Sequence, residues 1–106
     1  MRGVIKGVLK EELQNSLRMQ KTYEQALAKL PKGSLAVREI AGHRYYYLAI
    51  RIGKKVKHFY KGKMAEAEKE KYIQAVKSRA KYRKLLSQVK KQIRFLKGTL
   101  RGKEAI

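Results

Sequence analysis

From Ala65 to Leu100 the chain has no proline, no glycine before Gly98, and a majority of strong helix formers. Such a run predicts one long helix over 65–98, with 99–106 as a tail. Counted in heptads from Tyr72, the positions Tyr72, Ala75, Arg79, Tyr82, Leu86, Val89, Ile93, Leu96 and Leu100 form a seam with one charged interruption. About 35 residues at 1.5 Å each reach roughly 50 Å, more than a compact domain of this size needs. The seam therefore wants a partner: the first helix as an antiparallel hairpin, a second copy of the chain, or another protein. For an intermolecular partner the contact residues would be Tyr72, Tyr82, Leu86, Val89, Ile93 and Leu96.

Upstream, Ile5, Leu9, Leu13, Leu17, Tyr23, Leu27 and Leu30 recur at three- and four-residue spacing and predict a helix over 5–30. Pro31 disfavours helical geometry at Leu30 and Gly33 offers a turn. Three segments rich in β-branched and aromatic residues follow, over 35–40, 43–52 and 56–61, separated by Ala41-Gly42 and Gly53-Lys54-Lys55. They predict a three-stranded antiparallel meander over 35–61, and the whole chain is expected to be a single α+β domain, 1–106.

A two-residue first loop sets Glu39 opposite Arg44 and Val37 opposite Tyr46. A three-residue second loop sets Ile52 opposite Val56 and Ile50 opposite His58. One face then collects Leu35, Val37, Tyr46, Leu48, Ile50, Ile52, Val56 and Tyr60, ready to pack on a helix. The other collects Arg38, Tyr45, Tyr47, Arg51, Lys57, Phe59 and Lys61. Slipping the second loop by one residue would swap the faces of the third strand.

Charge narrows the function classes. The chain carries 28 Lys+Arg against 8 Asp+Glu, a formal net charge of +20. Self-repulsion of that size is tolerated most readily when a polyanion screens it, with nucleic acid, DNA or RNA, the first candidate. After Glu70 no acid occurs before Glu104, while twelve basic residues fall between them. A helix held by its own ion pairs would mix signs at four-residue spacing. A membrane surface fits less well, because the apolar seam is narrow and the chain has no tryptophan. No run of about 18 apolar residues could span a bilayer, no signal peptide is legible, and the absence of cysteine fits a cytoplasmic location.

The candidate nucleic-acid-binding residues are therefore Lys77, Lys81, Lys84, Lys90, Lys91 and Arg94 on the long helix. On the sheet they are Arg38, Arg51, Lys54, Lys55, Lys57 and Lys61, with Tyr45 and Tyr47 to stack or position bases. The tyrosines read equally well as cross-strand pairs covered by the second helix. His43 and His58 lack the neighbours of a metal site, and no catalytic constellation beyond a generic Ser34, His58, Glu39 triple is present. Neither a cofactor nor an enzymatic activity is expected.

The stretch "LPKGSLAVREIAGHRYYYLAIRIGKKVKHFYKGK", from Leu30 to Lys63, resembles a family of small basic proteins from bacteria, archaea and their mobile elements. The shared pattern is LPKGS, a glycine turn at Gly42, YYYL at Tyr45 to Leu48, a second turn at Gly53, Lys55 to Lys57, and Tyr60 before Gly62 and Lys63. That resemblance implies the order helix, sheet, long helix and no particular activity. More loosely, the meander is similar to the three-stranded arm-binding sheets of phage integrases, which lie in the DNA major groove, although this chain has no recombinase region. The rival to direct nucleic-acid binding is a protein-interaction module, an antitoxin, inhibitor or accessory subunit docked on a nucleic-acid-handling partner.

Overall fold

The computed structural model describes residues 2–104. Its elements are α1 (Arg2–Lys29), β1 (Ser34–Ile40), β2 (His43–Ile52), β3 (Lys55–Gly62) and α2 (Glu66–Glu104), the expected α+β order. Helix α2 does not stop at Gly98: it continues through Gly98 and Gly102 to Glu104, so the expected tail is helical there, and 105–106 lie outside the described residues. An isolated glycine costs a helix about 1 kcal/mol. Burial of Leu100, two residues beyond Gly98, repays that cost.

The chain divides into two compact units that share α2: α1 with α2 from Lys81 onward, and Leu30–Ala80. In the first, α1 and α2 run antiparallel. The Tyr23 and Tyr82 rings lie 6.1 Å apart, and Lys10 and Leu13 line one groove with Lys97 and Leu100. Val89, Ile93, Leu96 and Leu100 are buried along this contact, each worth about 2 kcal/mol of apolar burial. The seam is thus filled from within the chain over its downstream half. Val89, Ile93 and Leu96 are therefore buried within this unit.

On α1 the protected positions include Leu9, Leu13, Ser16, Leu17, Gln20, Tyr23 and Leu27, which recur largely at three-four spacing and include the polar Ser16 and Gln20. Ser16 is only 1% exposed. Its small side chain suits close approach of the two helices, whereas Ile5, expected on this face, is half exposed.

In the second unit the sheet has the order β1-β2-β3. The first hairpin has the expected register, Glu39 opposite Arg44 and Val37 opposite Tyr46. Its two-residue turn has positive φ at both Ala41 (53°) and Gly42 (80°), as a type I′ turn requires.

The second hairpin corrects the expectation. Its loop is two residues, Gly53-Lys54, and Ile52 pairs with Lys55, Ile50 with Lys57, and Leu48 with Phe59. Gly53 at φ 63° supplies the left-handed first position of a type II′ turn, which twists with the strands. The third strand is therefore flipped relative to the expected register, and His58 and Phe59 exchange faces.

A bulge between Tyr46 and Tyr47 then shifts the end of β3, pairing Tyr47 with Tyr60 but Tyr46 with Gly62. Gly62 is buried at φ 69°, and a Cβ there would meet the Tyr60 hydroxyl at 3.3 Å. The inner face is the one that carries Tyr46 and Leu48, both buried. It packs on the α2 segment of its own unit: Lys69 sits 4.5 Å above the Tyr46 ring, and Leu35 lines a shallow groove with Tyr72, Ile73 and Val76. Arg79, the charged interruption in the seam, donates from its guanidinium to the carbonyls of Pro31 at 2.7 Å and Gly33 at 3.4 Å. That contact fastens the entry to β1 onto α2.

Candidate nucleic-acid interface

Two surfaces carry the candidate residues, one in each unit. In the helical unit the heptad frame sorts the side chains of α2. The positions following each inner seam residue are all basic, Arg83 after Tyr82, Lys90 after Val89 and Lys97 after Leu96. Those preceding the other seam residues, Leu85, Gln92 and Thr99, are all uncharged. One flank of the seam is therefore cationic and the other neutral. On the cationic flank a groove of about 620 Å³ opens between the helices, with Leu13 and Leu100 as its floor and Lys10, Gln14, Lys97 and Arg101 around it.

Lys84 and Lys91, seven residues apart, stand on the side of α2 away from the seam, with Arg94 between them and the flank. Lys81, Lys84, Lys90, Lys91 and Arg94 are all exposed. Among the described residues, Lys84, Lys90, Lys91 and Arg94 have no acidic partner. Lys81 instead lies 5.5 Å from the centre of the Tyr82 ring.

Some of this polarity belongs to the helix itself. Glu66 and Glu68 occupy the first turn of α2, where the positive end of the macrodipole favours them, and Arg101 lies near the negative end. The dipole acts only within the terminal turns. Arg83 through Arg94 lie beyond its reach, so their unrelieved repulsion needs another explanation.

In the sheet unit, Arg38, Tyr45, Tyr47 and Arg51 lie together on the outer face, as expected. Phe59 and Lys57 do not: the flipped third strand places them on the inner side, paired with Leu48 and Ile50. Lys55 pairs with Ile52 on that side too, Lys54 stands in the turn, and Lys61 is the extra residue of the bulge, with no partner in the register. Tyr60 takes the outer place expected for Phe59. It is 61% exposed, so it is not the core residue that its spacing predicted.

The outer face is consequently a tyrosine cluster. The Tyr60 ring lies 5.3 Å from Tyr47 and 6.4 Å from Tyr45, both tilted, and the Arg38 guanidinium is 6.0 Å from the centre of the Tyr47 ring. His58, also exposed and outward, lines a shallow depression with Ala36, Arg38 and Tyr47. Since α2 lies on the inner face, the alternative in which it covers the tyrosines is excluded by the register. Lys77 belongs to this unit and lines the groove beside Ser34 and Leu35.

Ser34 and His58 flank Ala49 across the sheet, but Glu39 alternates to the inner face, so that triple does not converge. No cluster of three metal-ligating side chains occurs among the described residues, and none of their helices is long and apolar enough to cross a membrane. The Lys69 ammonium is held above its ordinary value by the Tyr46 hydroxyl and then by Glu66, 3.0 Å away. Lys69 thus serves the fold of the sheet unit.

Sequence reasoning passed over Lys10, Arg83, Lys97 and Arg101 on the helices and His58 and Tyr60 on the sheet, which share the two candidate surfaces. Arg83 and Lys97 were detectable as the basic flank of the heptad; Lys10 and Arg101 join them only where the two helices meet. The sheet residues depended on the length of one turn. Comparison of this chain with protein families, curated proteins and solved structures finds no match to any of them.

Proposed function

We propose that this chain is a non-enzymatic nucleic-acid-binding protein. Its basic helical unit captures the phosphate backbone, and the outer face of its sheet meets the bases. The observation that carries the reading is the cationic flank of α2: exposed, unpaired by acids among the described residues, and continuous beyond the reach of the helix dipole. Each phosphate neutralised there releases counterions and relieves repulsion that folding alone leaves in place. Arg51 and Lys54 are a further, smaller source of backbone contacts beside the tyrosines.

The test is binding of labelled RNA and DNA by the wild type and by a variant with Lys84, Lys90 and Lys91 changed to Glu. Loss of three phosphate contacts is expected to lower the salt slope on duplex DNA by about 3. Absence of binding by the wild type at low salt rejects the reading.

The apolar floor of the groove between Leu13 and Leu100 favours a second reading, docking of an acidic protein segment by an accessory subunit or inhibitor. On that reading the wild type fails to bind either nucleic acid. A partner recovered from cells then depends on Lys97 and Arg101.

A further inference from the structure

The depression on the outer face of the sheet is built differently from the rest of the basic surface. Ala36 pairs directly with Tyr47, and Ala49 follows two residues along β2 on the same face; these small side chains leave space beside the Tyr47 ring. The space is about 320 Å³ and is lined by Ala36, Val37, Arg38, Tyr47 and His58. That volume is at the low end of small-molecule sites and suits one planar ring, not the edge of a duplex. Tyr60 packs on Tyr47 at 5.3 Å and holds the ring in place. Arg38 and His58 put hydrogen-bond donors at the rim.

No carboxylate points out from this face. Glu39, the acid within the strands, alternates to the inner side, while Arg38 and Arg51 stand outward. An aromatic ring at the wall of a small depression, with cations and no anions around it, is complementary to a nucleobase attached to a phosphate strand. A stacked base pair cannot present the face of its ring, so the occupant has to be unpaired.

We infer that this depression holds one unpaired nucleobase of a single-stranded nucleic acid, stacked on Tyr47 with Arg38 and His58 at its edge. The inference rests on the nucleic-acid reading above and narrows it to single strands. The helical unit supplies charge without discriminating between strand types. The sheet supplies the discrimination.

The experiment titrates the full chain with a short oligouridylate, its deoxyuridylate counterpart and a duplex of equal length, followed by anisotropy. In parallel, the single strands carry a fluorescent adenine analogue whose emission falls when it stacks. Tighter binding of a single strand than of the duplex, with quenching, is expected, and whichever of the two single strands binds tighter identifies the sugar preferred.

Tyr47→Leu is expected to weaken single-strand binding about tenfold, to abolish quenching and to leave duplex binding unchanged. Because Tyr47 is half-buried, the exposed pair Arg38→Gln and His58→Ala provides a second route. Each is expected to weaken single-strand binding about fivefold. Equal affinity for single strand and duplex with no quenching overturns this inference and leaves the nucleic-acid reading standing. Failure to bind any of the three probes overturns both.

Discussion

The helical unit and the outer face of the sheet are both basic, but they are basic in opposite ways. On α2 from Lys81 onward the cations are dense and the exposed aromatic is Phe95 alone. On the sheet three tyrosines cluster and only Arg38 and Arg51 accompany them outward. The first surface can attract any phosphate strand and read none of it. On the proposed function, the second attracts weakly and presents rings to bases, which assigns affinity and salt dependence to one region and the kind of strand to the other.

The contrast breaks first if either core is not what positions its surface. Leu96→Ala in the helical unit and Leu48→Ala in the sheet unit each remove a side chain about 5% exposed. Each is expected to cost about 3 kcal/mol in urea unfolding. A loss well under 1 kcal/mol at either site would mean that the corresponding surface lacks the support described.

Next in size is the effect on binding. Changing Lys84, Lys90 and Lys91 to Glu is expected to lower affinity for single strand and duplex alike by more than tenfold, with stability unchanged or raised as repulsion falls. Tyr60→Leu, by contrast, is expected to weaken only single-strand binding. If the charge reversals alter single-strand preference, or Tyr60→Leu alters duplex affinity, the division of labour fails.

Gly62→Ala tests the bulge that follows the Tyr47–Tyr60 pair and sets Gly62 opposite Tyr46. A Cβ at φ 69° adds backbone strain and presses on the Tyr60 ring, so a loss of about 2 kcal/mol is expected, along with weaker single-strand binding. The smallest effect is a gain. Ala41 holds φ 53° in a type I′ turn, and Ala41→Asn is expected to raise stability by about 1 kcal/mol in thermal unfolding without touching binding.

The same contrast explains what the sequence revealed. The element order, the first hairpin and the buried positions Val89, Ile93, Leu96 and Leu100 were legible because heptad and alternating periods persist over many residues there. The third strand was not, since its face depends on whether Lys55 belongs to a loop, and period two turns a one-residue error into exchange of every side chain. Tyr60 and Phe59 were both aromatic candidates, so composition could not arbitrate between them. Ser16 and Gln20 escaped notice in α1 because polar residues interrupt the hydrophobic pattern at positions where close helix approach, not hydrophobicity, makes the fit.

The central claim is electrostatic capture of a phosphate strand, and its most direct test is affinity for a single-stranded oligonucleotide as a function of salt. With about six phosphates engaged, log K is predicted to fall linearly with log salt with a slope near −4, at about 0.7 per phosphate. A slope indistinguishable from zero, or no binding at low salt, would contradict the account.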